Sequence, residues 1–116
     1  MDDAGLAKLS GLSKLESLDL WHAPVTDAGM ASLQGLKNLK TLILDETTVG
    51  DAGLATLAGL GNLQTLKLRQ TQVTDAGLDK IKGMKHLKSL DLRFAKVSDE
   101  GVAALKNALP GLAIVR

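Results

Sequence analysis

The stretch that decides the fold is LKTLILDETTV at residues 39–49. The pattern returns as LQTLKLRQTQV at residues 63–73 and as LKSLDLRFAKV at residues 87–97. In each copy apolar and variable residues alternate around two leucines, such as Leu42 and Leu44, and this alternation is typical of a short strand with one buried face. Because the copies start at residues 39, 63 and 87, the chain has a period of 24 residues, and we expect a repeat architecture.

The other half of each repeat has the pattern of a short helix. In TDAGMASLQGL at residues 26–36, the apolar residues Met30, Leu33 and Leu36 lie three residues apart and share one helix face. An aspartate recurs at the start of this half, where it faces the positive end of the helix dipole. The residue before it is a typical N-cap in each repeat, and these residues are Thr26, Gly50, Thr74 and Ser98.

A glycine recurs at the end of each predicted helix. We expect these residues at the C′ position in a left-handed conformation, with asparagine as the natural substitute in the last repeat. The series is Gly11, Gly35, Gly59, Gly83 and Asn107.

These motifs together resemble the leucine-rich repeat, in the helix-bearing form found in ribonuclease-inhibitor-like and many bacterial proteins. The resemblance implies an α/β solenoid, right-handed and horseshoe-like, with a parallel sheet on the concave side and short helices on the convex side. One departure is that the usual asparagine after the strand is absent. Its places are taken by Ala23, Thr47, Thr71 and Ala95.

The repeat predicts a single domain, residues 1–116, with about four and a half units near residues 1–24, 25–48, 49–72, 73–96 and 97–116. The first unit begins at its helix. After Asn107 the 24-residue register is lost, and we expect Leu109, Leu112 and Ile114 to form a shortened last strand. Solenoids usually carry polar capping units, so the lack of one at the first unit indicates a fragment of a longer array or an end covered by a partner.

Composition excludes several classes of function. The net charge is +1, which favours neither nucleic acid nor an anionic membrane as a partner. The absence of cysteine excludes disulfides and thiol chemistry, and apolar runs are too short for a membrane span or a signal peptide. We expect no cofactor, no metal site and no catalytic residues. The compartment stays open, with the cytoplasm favoured.

Residues between the buried strand leucines are expected to point outward on the concave face. Neighbouring strands lie about 4.8 Å apart, so equivalent residues in adjacent repeats touch. On this basis Lys67 should pair with Asp91 and Asp45 with Arg69, while His22 could pair with Glu46. The candidate partner-binding surface comprises Asp19, Trp21, His22, Ile43, Asp45, Glu46, Lys67, Arg69, Asp91, Arg93 and Phe94.

The sequence therefore favours a non-enzymatic module that binds a protein or peptide through this concave surface. Trp and Arg are enriched at binding hot spots, which makes Trp21 a candidate contact, although it could instead cover the open end of the first strand. An alternative is a structural unit that forms homo-oligomers by stacking through uncapped ends. A third interpretation is small-molecule or carbohydrate binding at Trp21, His22 and Asp45.

Overall fold

Five parallel strands form one sheet in the computed structural model, which describes residues 1–116. The sheet order follows the chain, so each strand pairs with the strand of the next repeat. The strands are β1 (Ser17–Asp19), β2 (Thr41–Ile43), β3 (Thr65–Lys67), β4 (Ser89–Asp91) and β5 (Ala113–Val115). The register aligns residues 24 apart, for example Leu42 with Leu66, which confirms the predicted period.

Short helices connect the strands. They are α1 (Asp3–Ala7), the 3₁₀ helix η1 (Asp27–Leu33), α2 (Asp51–Leu57), α3 (Asp75–Lys80) and α4 (Asp99–Ala108). Helix packs on helix along the chain, as strand pairs with strand. The fold is thus the predicted α/β solenoid. None of its helices is long and apolar enough to cross a membrane.

Leucines from both layers fill the space between them. Leu42, Leu66 and Leu90, one from each central strand, are fully buried, as are Leu33 and Leu57 on the helix side. Twenty-six buried apolar residues form one continuous core. A single repeat is too short to bury its own leucines, so this core exists only because the units stack.

The predicted N-caps are confirmed. Thr26, Gly50, Thr74 and Ser98 each precede a helix in extended backbone geometry. The Ser98 hydroxyl accepts a hydrogen bond from Gly101 N–H at 3.1 Å, and Thr26 accepts one from Ala28 N–H at 3.3 Å. The hydroxyl of Thr74 makes no such bond and is instead a donor to an aspartate of the previous repeat.

The repeating aspartates connect adjacent units. Asp3, for example, accepts hydrogen bonds from both N–H and the hydroxyl of Thr26, at 2.8 and 2.6 Å. Asp75 does the same with Ser98, at 2.8 and 2.5 Å. The carboxylate therefore links two helix N-termini, and the Ser98 hydrogen bonds hold the pKa of Asp75 below its ordinary value.

This contact explains the glycine two residues after each aspartate. A Cβ added to Gly29, Gly53, Gly77 or Gly101 would lie 2.2–2.6 Å from Oδ1 of the previous repeat's aspartate. The carboxylate occupies the volume that a side chain would need. Glycine is required at these positions for close approach of two helices, and not for an unusual backbone angle.

The left-handed residues lie elsewhere than predicted. No glycine has a positive φ, so the prediction for Gly35 and its equivalents was wrong. The chain leaves each helix through turns closed by bonds three residues apart, such as Leu36 N–H to the Leu33 carbonyl at 3.0 Å, and no glycine there needs a left-handed backbone. Instead, the third residue after each of the first four strands has φ between 56° and 62°, and these residues are His22, Glu46, Gln70 and Phe94.

The left-handed residue lies within a turn whose hydrogen bonds replace those of the missing asparagine. In two repeats a threonine hydroxyl donates to the carbonyl three residues earlier: Thr47 to Leu44 and Thr71 to Leu68, both at 2.8 Å. In the alanine repeats the backbone N–H makes the corresponding bond, as from Ala23 to the Leu20 carbonyl at 3.0 Å. The turn carbonyl is therefore satisfied in all four units.

The last unit departs from the others as expected, with a small difference. Ile114 lies in β5, but Leu109 caps α4 and Leu112 precedes the strand, so the strand is shorter than predicted. In the other units, the equivalent carbonyls and aspartate accept hydrogen bonds from the next repeat. In the last unit they accept hydrogen bonds from cationic side chains instead. Lys106 Nζ donates to the Leu112 carbonyl, and Arg116 donates to the Asp99 carboxylate and, at 3.1 Å, to the Val97 carbonyl.

Candidate binding surface on the sheet

The eleven candidate residues lie on the strands and the turns that follow them, and we call this set the sheet face. They differ in exposure. Asp19, Trp21, His22, Lys67, Arg93 and Phe94 are exposed; Ile43, Glu46 and Arg69 are half-buried; Asp45 and Asp91 are buried. The exposed members therefore lie mainly towards the two ends of the sheet, and the centre holds a network of ion pairs.

The central network joins three repeats. Glu46 Oε1 accepts from Arg69 Nη2 at 2.8 Å, and the other Glu46 oxygen lies 3.3 Å from His22 Nδ1. Arg69 N–H donates to Asp45 Oδ1 at 2.8 Å, and its guanidinium lies 4.0 Å from the same carboxylate. The expected Asp45–Arg69 and His22–Glu46 pairs are thus present. Because its guanidinium bonds Glu46 and its backbone bonds Asp45, Arg69 organises the face as well as lining it.

The predicted pair between Lys67 and Asp91 was wrong. Asp91 instead binds Arg93 from its own repeat, with Nη2 to Oδ2 at 2.7 Å and Nε to Oδ1 at 3.0 Å. Arg93 follows Asp91 by two residues, so both side chains leave the same side of the strand. A guanidinium that binds both carboxylate oxygens is a stronger partner than an ammonium. Lys67 is left exposed without an ion pair.

This pairing shifts the pKa of both partners. The hydrogen bonds from Arg93 lower the pKa of Asp91, while burial acts in the opposite direction. The same bonds raise the pKa of Arg93.

The structure contains no group of three or more His, Cys, Asp or Glu side chains placed to hold a metal ion.

The two aromatic residues are the most prominent exposed groups of the face. Trp21 is 58% exposed and Phe94 is 77% exposed. The rings of Trp21 and His22 are 5.8 Å apart and tilted by 40°. The hydrophobic core, with the residues packed against it, does not include Trp21.

Phe94 is unusual in its backbone as well as in its exposure. Its φ is 62°, in the left-handed region that bulky residues rarely occupy. The cost of this conformation relative to an extended one is about 1–2 kcal/mol. An exposed ring recovers little of that cost by burial, so folding alone gives no reason for phenylalanine at this position.

The sequence did not indicate the left-handed geometry of His22, Glu46, Gln70 and Phe94. It also left Gln70 out of the candidate surface, although Gln70 occupies the same left-handed position between Glu46 and Phe94 and is exposed. No glycine or asparagine marks these positions, so no local signal was available. His22, Glu46 and Gln70 each donate a backbone hydrogen bond to the next repeat, as from Gln70 N–H to the Arg93 carbonyl at 2.8 Å.

Comparisons with known proteins agree with the geometry. A family model described as leucine rich repeat matches residues 13–73, and a second model with that description matches residues 83–106. A search of curated proteins finds no significant match.

Solved structures show the same fold. Internalin C2 from Listeria monocytogenes, whose crystal structure is known, is 33% identical in sequence over 94% of this chain, with a TM-score of 0.76. An internalin (inlF) of the same organism is 18% identical over 94%, with a TM-score of 0.59. Actin-binding site 2 of leiomodin-1 is 14% identical over 96%, with a TM-score of 0.72.

The chain spans 44% and 36% of the two internalin chains and 76% of the leiomodin-1 chain. Leucine-rich repeats generally serve as protein–protein interaction modules. With a matching family model over more than half of its residues and five stacked strand–helix units, the chain belongs to the leucine-rich repeat family.

Proposed function

We propose that this chain is a non-enzymatic module that binds a protein or peptide through the sheet face, with Trp21 and Phe94 as its apolar anchors. The observation that carries the proposal is Phe94, which combines 77% exposure with a left-handed backbone. Such a residue lowers the stability of the free protein and offers an aromatic ring to a partner. Strain of this kind clusters at functional sites.

The spacing of the anchors suggests the form of the ligand. Trp21 follows β1 and Phe94 follows β4, so three strand spacings of about 4.8 Å separate them, or roughly 14 Å. An extended peptide advances about 3.3 Å per residue, and side chains four residues apart point to the same side. A segment that crosses the strands with apolar side chains at i and i+4 therefore matches the two rings.

The residues between the anchors favour polar contacts with such a segment. Gln70 is exposed and Arg69 is half-buried with its guanidinium held by Glu46. A fixed guanidinium loses less conformational entropy on binding than a free one. The face contains both charge signs, and the chain has a net charge of +1, so we infer a protein or peptide partner and not a nucleic acid or a membrane.

The test is selection of displayed random peptides on the immobilised protein, followed by affinity measurement. We expect selected peptides to lose at least about tenfold in affinity when Trp21 and Phe94 are both replaced by alanine. A matched control, Gln34→Ala with Lys80→Ala, changes two exposed residues on the helix side and should leave affinity unchanged. Peptides that bind the Trp21/Phe94 variant as well as the unmodified protein would contradict the proposal.

The alternative is self-assembly through the ends of the solenoid, and one observation favours it. Leu12 is 51% exposed, whereas its equivalents Leu36, Leu60 and Met84 are at most 4% exposed. A depression of about 480 Å³ lies beside Leu12, lined by residues 11–15. Sedimentation velocity over a range of concentrations tests this proposal. A mass that rises with concentration and falls after Leu12→Gln supports it, and a constant monomer mass contradicts it.

A further inference from the structure

A second candidate site lies at the loops before β4 and β5, away from the sheet face. In the earlier repeats the loop before the strand carries large apolar residues three apart, such as Met84 and Leu87, and both of these are buried. In the last unit the aligned positions are Ala108 and Gly111. The large apolar residues of this loop, Leu109 and Leu112, lie one position later than in the earlier repeats, and both are buried.

A depression of about 380 Å³ lies at this place. That volume falls within the range of small-ligand sites in proteins. The two small residues are part of its lining, together with leucines from both loops. The lining residues are Lys85, Leu87, Lys88, Ala108, Leu109, Pro110, Gly111 and Leu112.

The charged groups of the depression are all of one sign. Lys85 and Lys88 are exposed and form no ion pair, and no acidic residue lines the depression. Two other lysines are paired with acidic neighbours, Lys40 with Glu16 at 3.2 Å and Lys82 with Asp79 at 2.8 Å. The two free ammonium groups beside an apolar surface match a ligand with an aliphatic body and an anionic head.

The backbone supplies one more donor. In the fourth unit, Leu87 N–H donates to the Met84 carbonyl. In the last unit, the equivalent bond lies one residue later and runs from Leu112 N–H to the Leu109 carbonyl at 3.0 Å. The Gly111 N–H consequently has no hydrogen-bond partner within the chain. A free N–H near two lysines is a suitable partner for a carboxylate.

We propose that this depression binds the C-terminal residue of a peptide that ends in an aliphatic side chain. The side chain lies against Leu87, Leu109 and Leu112. The terminal carboxylate is bound by Lys85, Lys88 and the Gly111 N–H. The site is independent of the sheet face, so it neither requires nor supports the function proposed above.

The test is an amide NMR titration of the unmodified protein with N-acetyl-Gly-Leu, first with a free carboxylate and then as the C-terminal amide. We expect saturable shifts at Gly111 and Leu112 with the free acid, and affinity at least about tenfold lower for the amide. Octanoate is a parallel ligand. If it binds as tightly as the peptide, the site recognises any aliphatic carboxylate and the peptide assignment is overturned.

Two variants with matched controls test the residues. Lys85→Met with Lys88→Met removes both charges but keeps the apolar stems, and should weaken binding at least about fivefold. Its control is Lys37→Met, at the position equivalent to Lys85 in an earlier repeat. Gly111→Leu adds a large side chain to the lining of the depression, and nothing lies within 4 Å of its Cβ.

Gly61→Leu is the control for Gly111→Leu, since nothing lies within 4 Å of its added Cβ either. Binding should be lost with Gly111→Leu and retained with Gly61→Leu. Absence of saturable shifts at Gly111 and Leu112 in the unmodified protein, or equal affinity in the double lysine variant, would overturn the proposal.

Discussion

The carboxylate of Asp51 accepts two hydrogen bonds from Thr74, one from its N–H at 2.7 Å and one from its hydroxyl at 2.5 Å. Twenty-three residues separate these partners in the chain. Asp3 and Asp75 make the same two bonds with Thr26 and Ser98, and Asp27 accepts one from the N–H of Gly50. Adjacent helices are therefore joined by polar contacts as well as by the leucine core.

We expect Asp51→Ala to lower the free energy of unfolding by about 1–3 kcal/mol, because two donors lose their acceptor. Urea denaturation followed by circular dichroism measures this change. Asp99 occupies the same helix position in the last unit, but its side chain is 90% exposed. The control Asp99→Ala should therefore change stability by less than about 0.5 kcal/mol. Equal losses in the two variants would show that the inter-repeat bond adds nothing.

The second prediction concerns Gly77, where an added Cβ would lie 2.4 Å from Oδ1 of Asp51. Alanine is normally the better helix former by about 1 kcal/mol. Here we expect Gly77→Ala to destabilise by about 1–3 kcal/mol, because it displaces the carboxylate. In the Asp51→Ala background the same change should cost much less, so the two substitutions should be non-additive. Additive effects in thermal unfolding would contradict this explanation.

The third prediction is a pH dependence of stability. Because the pKa of Asp91 in the folded protein lies below 3.8, its ordinary value, the unfolded chain takes up the proton first as pH falls. The stability from this group is present above pH 4 and is lost below it, as pH falls through the folded pKa. Asp91→Asn should make the free energy of unfolding depend less steeply on pH below about pH 4. Urea denaturation at several pH values measures this dependence. The same dependence on pH in Asp91→Asn and in the unmodified protein would contradict the role given to Asp91.

The sequence predicts the features that recur at equivalent positions of every repeat, and it misses those that depend on side-chain geometry. The 24-residue period predicts the strand register and the N-caps, because both recur at equivalent positions, as at Leu42 and Thr26. The pairing of Asp91 with Arg93 was missed, because equivalent positions favoured Lys67 and only side-chain geometry separates the two partners. The left-handed backbone at Phe94 was missed, because its residue type argues against it.

The fourth prediction separates binding from stability at Phe94. Asparagine occupies left-handed conformations far more readily than phenylalanine. Phe94→Asn should therefore leave the free energy of unfolding unchanged or raise it by about 0.5–1 kcal/mol, while affinity for a selected peptide falls. Thermal unfolding and fluorescence polarisation measure the two effects. A loss of more than about 1 kcal/mol in stability would show that the ring is structural.

The most direct test of the central claim is to map a selected peptide on the protein by amide and aromatic NMR shifts. We expect the largest changes at Trp21, Gln70 and Phe94, with the Trp21 indole N–H among them. Residues on α2 and α3 should remain unshifted. Changes concentrated on those helices, with the two aromatic rings unaffected, would contradict binding through the sheet face.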